Sequence, residues 1–131
     1  KNVLILGCGG TAKAIGFGVK EKGGLLTVTY HGDKERGESL ARELGCELIP
    51  ACDSGTRDID VLINCSPVGM SPNITESPFL ARDFKEGMVV FDSVYNPLET
   101  RLLRDAKLAG CTVIPGSELF INQAARKFEP E

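Results

Sequence analysis

The sequence predicts an α/β fold, in which a doubly wound sheet of six parallel strands carries helices on both faces. Short apolar runs alternate along the chain with segments of helical periodicity, and a glycine-rich turn joins the first run to the first helix. The 131 residues are enough for one domain with one core. Strands separated by helices form right-handed crossovers, so the expected strand order is 3-2-1-4-5-6.

The first half of the chain contains three strand segments, each a short run rich in apolar or β-branched residues. These strands are predicted at residues 3–6, 25–30 and 47–49. A helix over residues 11–22 places Ala12, Ile15 and Val19 on one face and ends at a pair of glycines. Asp33 can cap a second helix, which ends at Gly45.

The second half continues the alternation, with strands predicted at residues 61–64, 88–91 and 112–114. Residues 51–58 are weakly patterned and predict a loop or a short helix. Residues 66–86 hold three prolines and little periodicity, which predicts a long surface segment with one helical turn. Helices are expected over residues 100–109 and 117–128.

The composition is that of an ordinary soluble domain, with 42% apolar and 25% charged residues. A net charge of −3 argues against nucleic acid or an acidic membrane as a partner. No run is long enough to span a bilayer, and no signal peptide is visible. The five cysteines form no C-x-x-C pair, which favours reduced thiols packed as small apolar groups and predicts no metal site.

The glycine-rich turn matches the pattern G-x-G-x-x-[GA] and follows a predicted strand. Gly7 permits the sharp turn, Gly9 lets a pyrophosphate approach the backbone, and Ala12 keeps the helix close to the sheet. The helix N-terminus offers free N–H groups to phosphates. This context predicts a Rossmann-like dinucleotide site; the alternative is a purely structural turn. The candidate residues are Gly7, Cys8, Gly9, Gly10, Thr11 and Ala12.

The end of the second strand should select the cofactor. An acidic residue there binds the ribose 2′-hydroxyl of NAD, whereas basic residues accommodate the 2′-phosphate of NADP. Asp33 argues for NAD, and Lys34, Arg36 and His31 argue for NADP. Alternatively, Asp33 is only a helix N-cap and the basic side chains are solvated.

Two further loops follow strands at the same edge of the predicted sheet. "NCSPVGM" (residues 64–70) follows the fourth strand, and "DSVYNPLET" (residues 92–100), which contains Tyr95, follows the fifth. "PGSELFINQAA" (residues 115–125) opens the last helix and contains Gln123. Ligands of open α/β sheets bind at this edge, although ordinary turns and a solvated glutamine explain the same residues.

These four motifs, in this order, resemble the cofactor-binding domain of the shikimate dehydrogenase family. The family pattern has a GxGGxxxA-type loop, an N-[AT]-[ST]-x-x-G-M loop, a D-x-V-Y-N-P-x-x-T segment and a G-x-x-M-x-x-x-Q-A-A helix. The chain has "GCGGTAKA", "NCSPVGM", "DSVYNPLET" and "GSELFINQAA" at similar spacing across nearly its whole length. Its "FINQA" helix is most similar to the dehydratase–dehydrogenase fusions of plants.

The resemblance implies NADP(H)-dependent reduction of 3-dehydroshikimate to shikimate. It implies that the glycine loop holds the pyrophosphate and that Tyr95 and Gln123 reach the substrate's carboxylate and hydroxyls. Other positions are implied near the nicotinamide and its ribose: Cys65, Ser66, Pro67, Val68, Ser93, Gly116 and Leu119.

The chain departs from the family in two places. The N-R-T-x-x-R signature that grips the 2′-phosphate aligns with residues 31–36, where Gly32 and Asp33 replace Arg and Thr and Arg36 remains. This leaves NAD open as the cofactor, because a guanidinium is the best phosphate partner. The family's methionine beside the nicotinamide is Leu119 here, a volume-conserving change.

The resemblance also implies a Lys–Asp catalytic pair in an amino-terminal substrate domain, so no catalytic residue is predicted in residues 1–131. The sequence is therefore interpreted as a cofactor domain cut from a longer or bifunctional enzyme, cytoplasmic or, for a plant-type fusion, plastidic. The alternatives are an NAD(H)-binding quinate/shikimate dehydrogenase relative and a non-catalytic nucleotide-sensing module.

Overall fold

A computed structural model describes residues 1–94, 97 and 99–116 of the chain. The predicted helix over residues 117–128 lies outside this range. The same holds for three predicted ligand-binding residues, namely Tyr95, Leu119 and Gln123.

The described residues form one sheet of six parallel strands in the order β3-β2-β1-β4-β5-β6. The strands are β1 (Asn2–Leu6), β2 (Leu25–Tyr30), β3 (Glu47–Pro50), β4 (Val61–Asn64), β5 (Val89–Asp92) and β6 (Thr112–Ile114). The helices are α1 (Gly10–Glu21), α2 (Lys34–Leu44) and α3 (Arg101–Leu108), with 3₁₀ turns at Ala51–Thr56 and Ala81–Asp83. The predicted fold class and strand order are confirmed.

Two apolar layers bury the sheet because successive side chains of a strand point to opposite faces. In β1, Val3 and Ile5 face one layer, whereas Leu4 and Leu6 face the other. Helices α1 and α2 cover the first layer, and α3 covers the second. The strands are therefore continuous apolar runs, as a parallel sheet with both faces covered requires.

The segment over residues 66–86 differs from its prediction as a surface element. Phe79 and Phe84 are buried in the layer under α3, with their ring centroids 4.8 Å apart. The predicted helical turn is present at Ala81–Asp83. Two isolated phenylalanines among prolines produce no periodic pattern, so sequence reasoning missed their contribution to the core.

All five cysteines are free thiols, as predicted. Four are partly buried against the apolar layers, but Cys52 is exposed, so the prediction that all pack as small apolar groups is wrong for that residue. In the part of the chain that the structure describes, no helix has the length and apolar character needed to cross a membrane.

Two helical glycines give a matched test of the packing. A Cβ at Gly37 would lie 2.9 Å from Tyr30 Cβ and 3.0 Å from Leu48 Cδ1, whereas one at Gly18 would meet nothing within 4 Å. We expect Gly37→Ala to lower the free energy of unfolding by about 1–3 kcal/mol through overpacking. Gly18→Ala should raise it by about 0.5–1 kcal/mol. Urea denaturation measures both, and equal effects of the two substitutions would contradict the packing of α2 on β2.

Candidate functional site

The strand order changes direction between β1 and β4, and the loops that leave these two strands touch. Gly7 has a φ of +108°, and a Cβ added there would lie 3.1 Å from the Cys65 carbonyl carbon and the Ser66 nitrogen. The Gly7 N–H donates to Thr29 Oγ1 at 3.1 Å. Only glycine fits this turn, and the crevice beside it is where doubly wound sheets bind ligands.

The glycine loop opens directly onto the N-terminus of α1. Gly9 caps the helix without a side-chain hydrogen bond, and the bond from Lys13 N to Gly9 O measures 3.1 Å. The N–H groups of residues 10–12 precede that bond and have no partner within the helix. A Cβ at Gly10 would meet nothing within 4 Å, while Ala12 is fully buried against the sheet. The arrangement suits a phosphate group.

Helix α2 brings a cation to this loop. Nη2 of Arg36 lies 3.4 Å from the position that a Cβ of Gly9 would occupy. Asp33 caps α2, because its Oδ1 accepts a hydrogen bond from the Arg36 N–H at 3.0 Å. The N-cap interpretation of Asp33 is thus confirmed, and the same hydrogen bond positions the Arg36 backbone.

The other predicted residues of this region are exposed. Lys34 Nζ lies 4.0 Å from Glu38, and Gly32 has a φ of +90° with open space around it. His31 is exposed as well. Of the three basic side chains predicted here, the structure brings Arg36 to the glycine loop.

A buried hydrogen-bond network joins the loops after β4 and β5. Asp92 Oδ1 accepts from Asn64 Nδ2 at 3.1 Å and from the Val94 N–H at 2.9 Å. The Thr100 hydroxyl donates to Asp92 Oδ2 at 2.6 Å, and it accepts from the Leu103 N–H at the start of α3. Asn64, Asp92 and Thr100 are all fully buried. The network fixes the carboxyl ends of both strands relative to α3.

Asn64 also shapes the loop that follows it. Its Oδ1 accepts hydrogen bonds from the Ser66 N–H at 3.0 Å and from the Ser66 hydroxyl at 2.6 Å. Its Nδ2 lies 3.4 Å from the Val68 carbonyl oxygen, and the Val68 N–H lies 3.4 Å from Ser66 Oγ. The Ser66 side chain is thereby held in one orientation beside the crevice.

Gly116, which follows β6, packs against the backbone that follows β5. A Cβ added there would lie 2.8 to 3.0 Å from the carbonyl oxygens of Asp92, Ser93 and Val94. Three backbone oxygens leave no room for a side chain, which explains a glycine at this position. The structure thus brings Gly116 against the backbone of Ser93.

A cavity of about 380 Å³ lies between these loops. Its lining includes four predicted binding residues and three others: Cys65, Ser66, Pro67, Ser93, and Met70, Ser71 and Val94. A larger cavity of about 520 Å³ lies at the opposite edge, where β1, β2 and β3 begin. We assign the ligand site to the smaller cavity, because the larger one lies away from the glycine loop and the switch point.

Burial alters the acid–base properties of two groups at the site. Desolvation raises the pKa of Asp92, although hydrogen bonds from Thr100, Val94 and Asn64 oppose the shift. Desolvation raises the pKa of the Cys65 thiol to about 12, and the charge of Asp92 adds to the effect. Cys65 therefore remains a neutral thiol that lines the cavity and is unsuited to act as a nucleophile.

Sequence reasoning missed the role of Asp92 and Thr100. Both belong to a motif that was recognised, yet their eight-residue spacing predicts only a turn into a helix. The usable signal was an acidic residue at the end of an otherwise apolar strand, because a buried carboxylate needs hydrogen-bond donors. Among the residues that the structure describes, no group of three metal-ligating side chains occurs.

Proteins of similar sequence are named shikimate dehydrogenases. No protein-family model matches the chain. The "Shikimate dehydrogenase (NADP(+))" of Methanosarcina acetivorans is 37% identical over 97% of this chain. The chloroplastic "Bifunctional 3-dehydroquinate dehydratase/shikimate dehydrogenase" of Arabidopsis thaliana is 38% identical over 98% of it. The chain spans 48% of the first protein and 22% of the second.

Solved structures share the fold. One is a shikimate 5-dehydrogenase from Thermus thermophilus in complex with NADP(H) and shikimate. The superposition covers 96% of this chain and 54% of the Thermus chain, with a TM-score of 0.78 and 29% sequence identity. Another is a quinate dehydrogenase from Corynebacterium glutamicum in complex with NAD. The superposition covers 98% of this chain and 49% of the Corynebacterium chain, with a TM-score of 0.81 and 27% sequence identity.

The burial of Asp92 predicts a pH dependence of stability. The folded chain keeps this proton to a higher pH than the unfolded chain, where the pKa is near 3.8. Ionisation of Asp92 therefore lowers the free energy of unfolding as the pH rises from 3.8 to the raised pKa, and the loss stays constant at higher pH. We expect Asp92→Asn to gain stability relative to the parent over that window, by about 1.4 kcal/mol per unit of raised pKa.

Urea denaturation at a series of pH values measures this difference. Asp58→Asn is the matched control, because Asp58 is exposed and has no burial to relieve. A shift of one pKa unit would change the difference in the free energy of unfolding between Asp92→Asn and the parent by ~1.4 kcal/mol. If that difference is constant from about pH 3.5 to about pH 7, burial does not control the pKa of Asp92.

Proposed function

We propose that this chain, as a member of the shikimate dehydrogenase family, is the NADP-binding domain of an enzyme that reduces 3-dehydroshikimate to shikimate. The observation that carries the proposal is the meeting of three loops at one edge. The turn at Gly7 contacts the backbone of residues 65–66, and Asp92 joins the end of β4 to the loop after β5. NADP is named as the cofactor of the Methanosarcina acetivorans relative, and reduction of 3-dehydroshikimate is the reaction that the sequence resemblance implies.

The cofactor would lie along the carboxyl edge of the sheet. Its pyrophosphate would meet the free N–H groups at the start of α1, and Arg36 would face the 2′-phosphate. Residues 65–68 would lie along the nicotinamide ribose. Ser93 and Gly116 would border the nicotinamide ring, which the cavity of about 380 Å³ would receive. When bound, the cofactor supplies the hydride.

The substrate-facing part of the proposal rests on the sequence. We propose that Tyr95 and Gln123 reach the carboxylate and hydroxyls of the substrate. The general acid would come from a separate amino-terminal substrate domain, because the relatives are about twice as long as this chain or longer. We therefore expect residues 1–131 to bind cofactor without turning over substrate, in the cytoplasm or, as part of a plant-type fusion, in a plastid.

A second candidate is an NAD(H)-binding quinate or shikimate dehydrogenase. Gly32 and Asp33 stand where the family has Arg and Thr, and Asp33 is exposed at the end of β2. A carboxylate there can accept a hydrogen bond from the ribose 2′-hydroxyl of NAD and repel a 2′-phosphate. The quinate dehydrogenase that shares this fold was solved with NAD.

Calorimetric titration of the chain with NADP(H) and NAD(H) separates the two candidates. Tighter binding of NADP(H) supports the first, and tighter binding of NAD(H) supports the second. If neither cofactor binds at millimolar concentration, a scale at which the binding free energy falls to about 4 kcal/mol, both candidates fail.

Arg36→Ala tests the cofactor-selecting residue. We expect NADP(H) binding to weaken about tenfold or more and NAD(H) binding to change less than about twofold, because only NADP carries a phosphate for the guanidinium. Arg42→Ala removes an exposed arginine from the last turn of α2 and serves as the control. Equal losses for both cofactors in Arg36→Ala would show that Arg36 does not read the 2′-phosphate.

A further inference from the structure

Among the described residues, the buried carboxyl group of Asp92 accepts its hydrogen bonds from neutral groups. Its hydrogen-bond donors are an amide, a backbone N–H and a hydroxyl, from Asn64, Val94 and Thr100. Within the described part of the chain, the ion pairs do not include Asp92. Three donors on two oxygens favour the ionised carboxylate. Above its raised pKa, the carboxylate therefore carries a negative charge that no cationic side chain of the described residues pairs with.

This charge lies directly behind the wall of the cavity. Val94, which lines the cavity, donates its N–H to Asp92 at 2.9 Å, and Ser93 lies between the two residues in sequence. Cys65, which also lines the cavity, responds to the same charge, since Asp92 contributes to the raised pKa of its thiol. Two residues of the cavity lining thus lie within the electrostatic reach of one carboxylate.

The two redox forms of a nicotinamide differ by one charge on the ring. The oxidised ring is cationic and the reduced ring is neutral, while the phosphates are the same in both. A fixed negative charge behind the ring therefore stabilises the oxidised form more than the reduced form. The effect is strong where water is excluded and screening by salt is weak.

We infer that Asp92 is a specificity-determining residue that increases the affinity of the site for oxidised over reduced cofactor through the fixed charge of its carboxylate. The inference rests on the proposed function, because it requires the nicotinamide ring to occupy this cavity. It concerns the redox form of the cofactor and is independent of the choice between NADP and NAD.

Asp92→Asn tests the charge with little change in shape. The oxygen of the substituted side chain would keep the bonds from Asn64 and Val94. Its amide nitrogen would donate to Thr100 Oγ1, reversing that single bond. Dissociation constants for NADP⁺ and NADPH are measured by calorimetry at one pH and one salt concentration. We expect the NADP⁺ constant to rise about three- to tenfold relative to the NADPH constant, as expected for a charge removed at close range.

Two controls separate the charge from the fold. Ala106→Gly lowers the helix propensity of α3 and leaves the three hydrogen-bond donors of Asp92 in place, so it should lower stability by about 1 kcal/mol and leave the ratio of the two constants unchanged. Asp58→Asn removes one charge at the opposite edge of the sheet and should also leave the ratio unchanged. If Asp92 acted only through the stability of the fold, Ala106→Gly would shift the ratio as well.

The outcomes distinguish the inference from the proposed function. If both cofactor forms bind the parent chain and Asp92→Asn changes their ratio less than about twofold, the inference is wrong and the proposed function stands. If neither form binds the parent, the proposed function fails and the inference fails with it. If Asp92→Asn does not fold, the dissociation constants of the parent chain test the inference. The inference is wrong if the parent binds NADPH about tenfold or more tightly than NADP⁺, and it is supported if the parent binds NADP⁺ at least as tightly as NADPH.

Discussion

The hydrogen bond between Asn64 and Asp92 is the contact on which the geometry of the candidate site depends. It joins the last residues of two adjacent parallel strands, β4 and β5, in a place that water does not reach. Each partner then orients the loop that follows its own strand, Asn64 through Ser66 and Asp92 through Val94. Loss of either side chain would leave buried polar groups unpaired, which costs about 1–3 kcal/mol for each group.

Close backbone contacts complete what this network begins. Gly7 lies against the backbone of the loop after β4, and Gly116 lies against three carbonyl oxygens of the segment after β5. A side chain at either position would separate segments that now touch. The two glycines and the Asn64–Asp92 bond therefore hold four strand ends in a single arrangement, which is the preorganisation that a cofactor site needs.

Under the proposed function, the choice of cofactor depends on two residues at the start of α2. Asp33 caps the helix through the Arg36 N–H, and the Arg36 guanidinium lies beside the glycine loop. The residue that argues for NAD thus positions the backbone of the residue that argues for NADP. Under the proposed function, the preference between NADP and NAD is a balance between the interactions of these two side chains with the ribose.

The sequence by itself determined the fold class, the strand order and the apolar face of α1, because these follow from local periodicity and from the rule for parallel crossovers. It also identified the glycine loop and the loops after β4 and β5. Only the tertiary structure decided that Phe79 and Phe84 enter the core, that Arg36 reaches the glycine loop, and that Asp92 contacts Asn64 across 28 positions of sequence. Such contacts depend on strand register and on how closely helices pack against the sheet, and neither quantity is encoded in a local pattern.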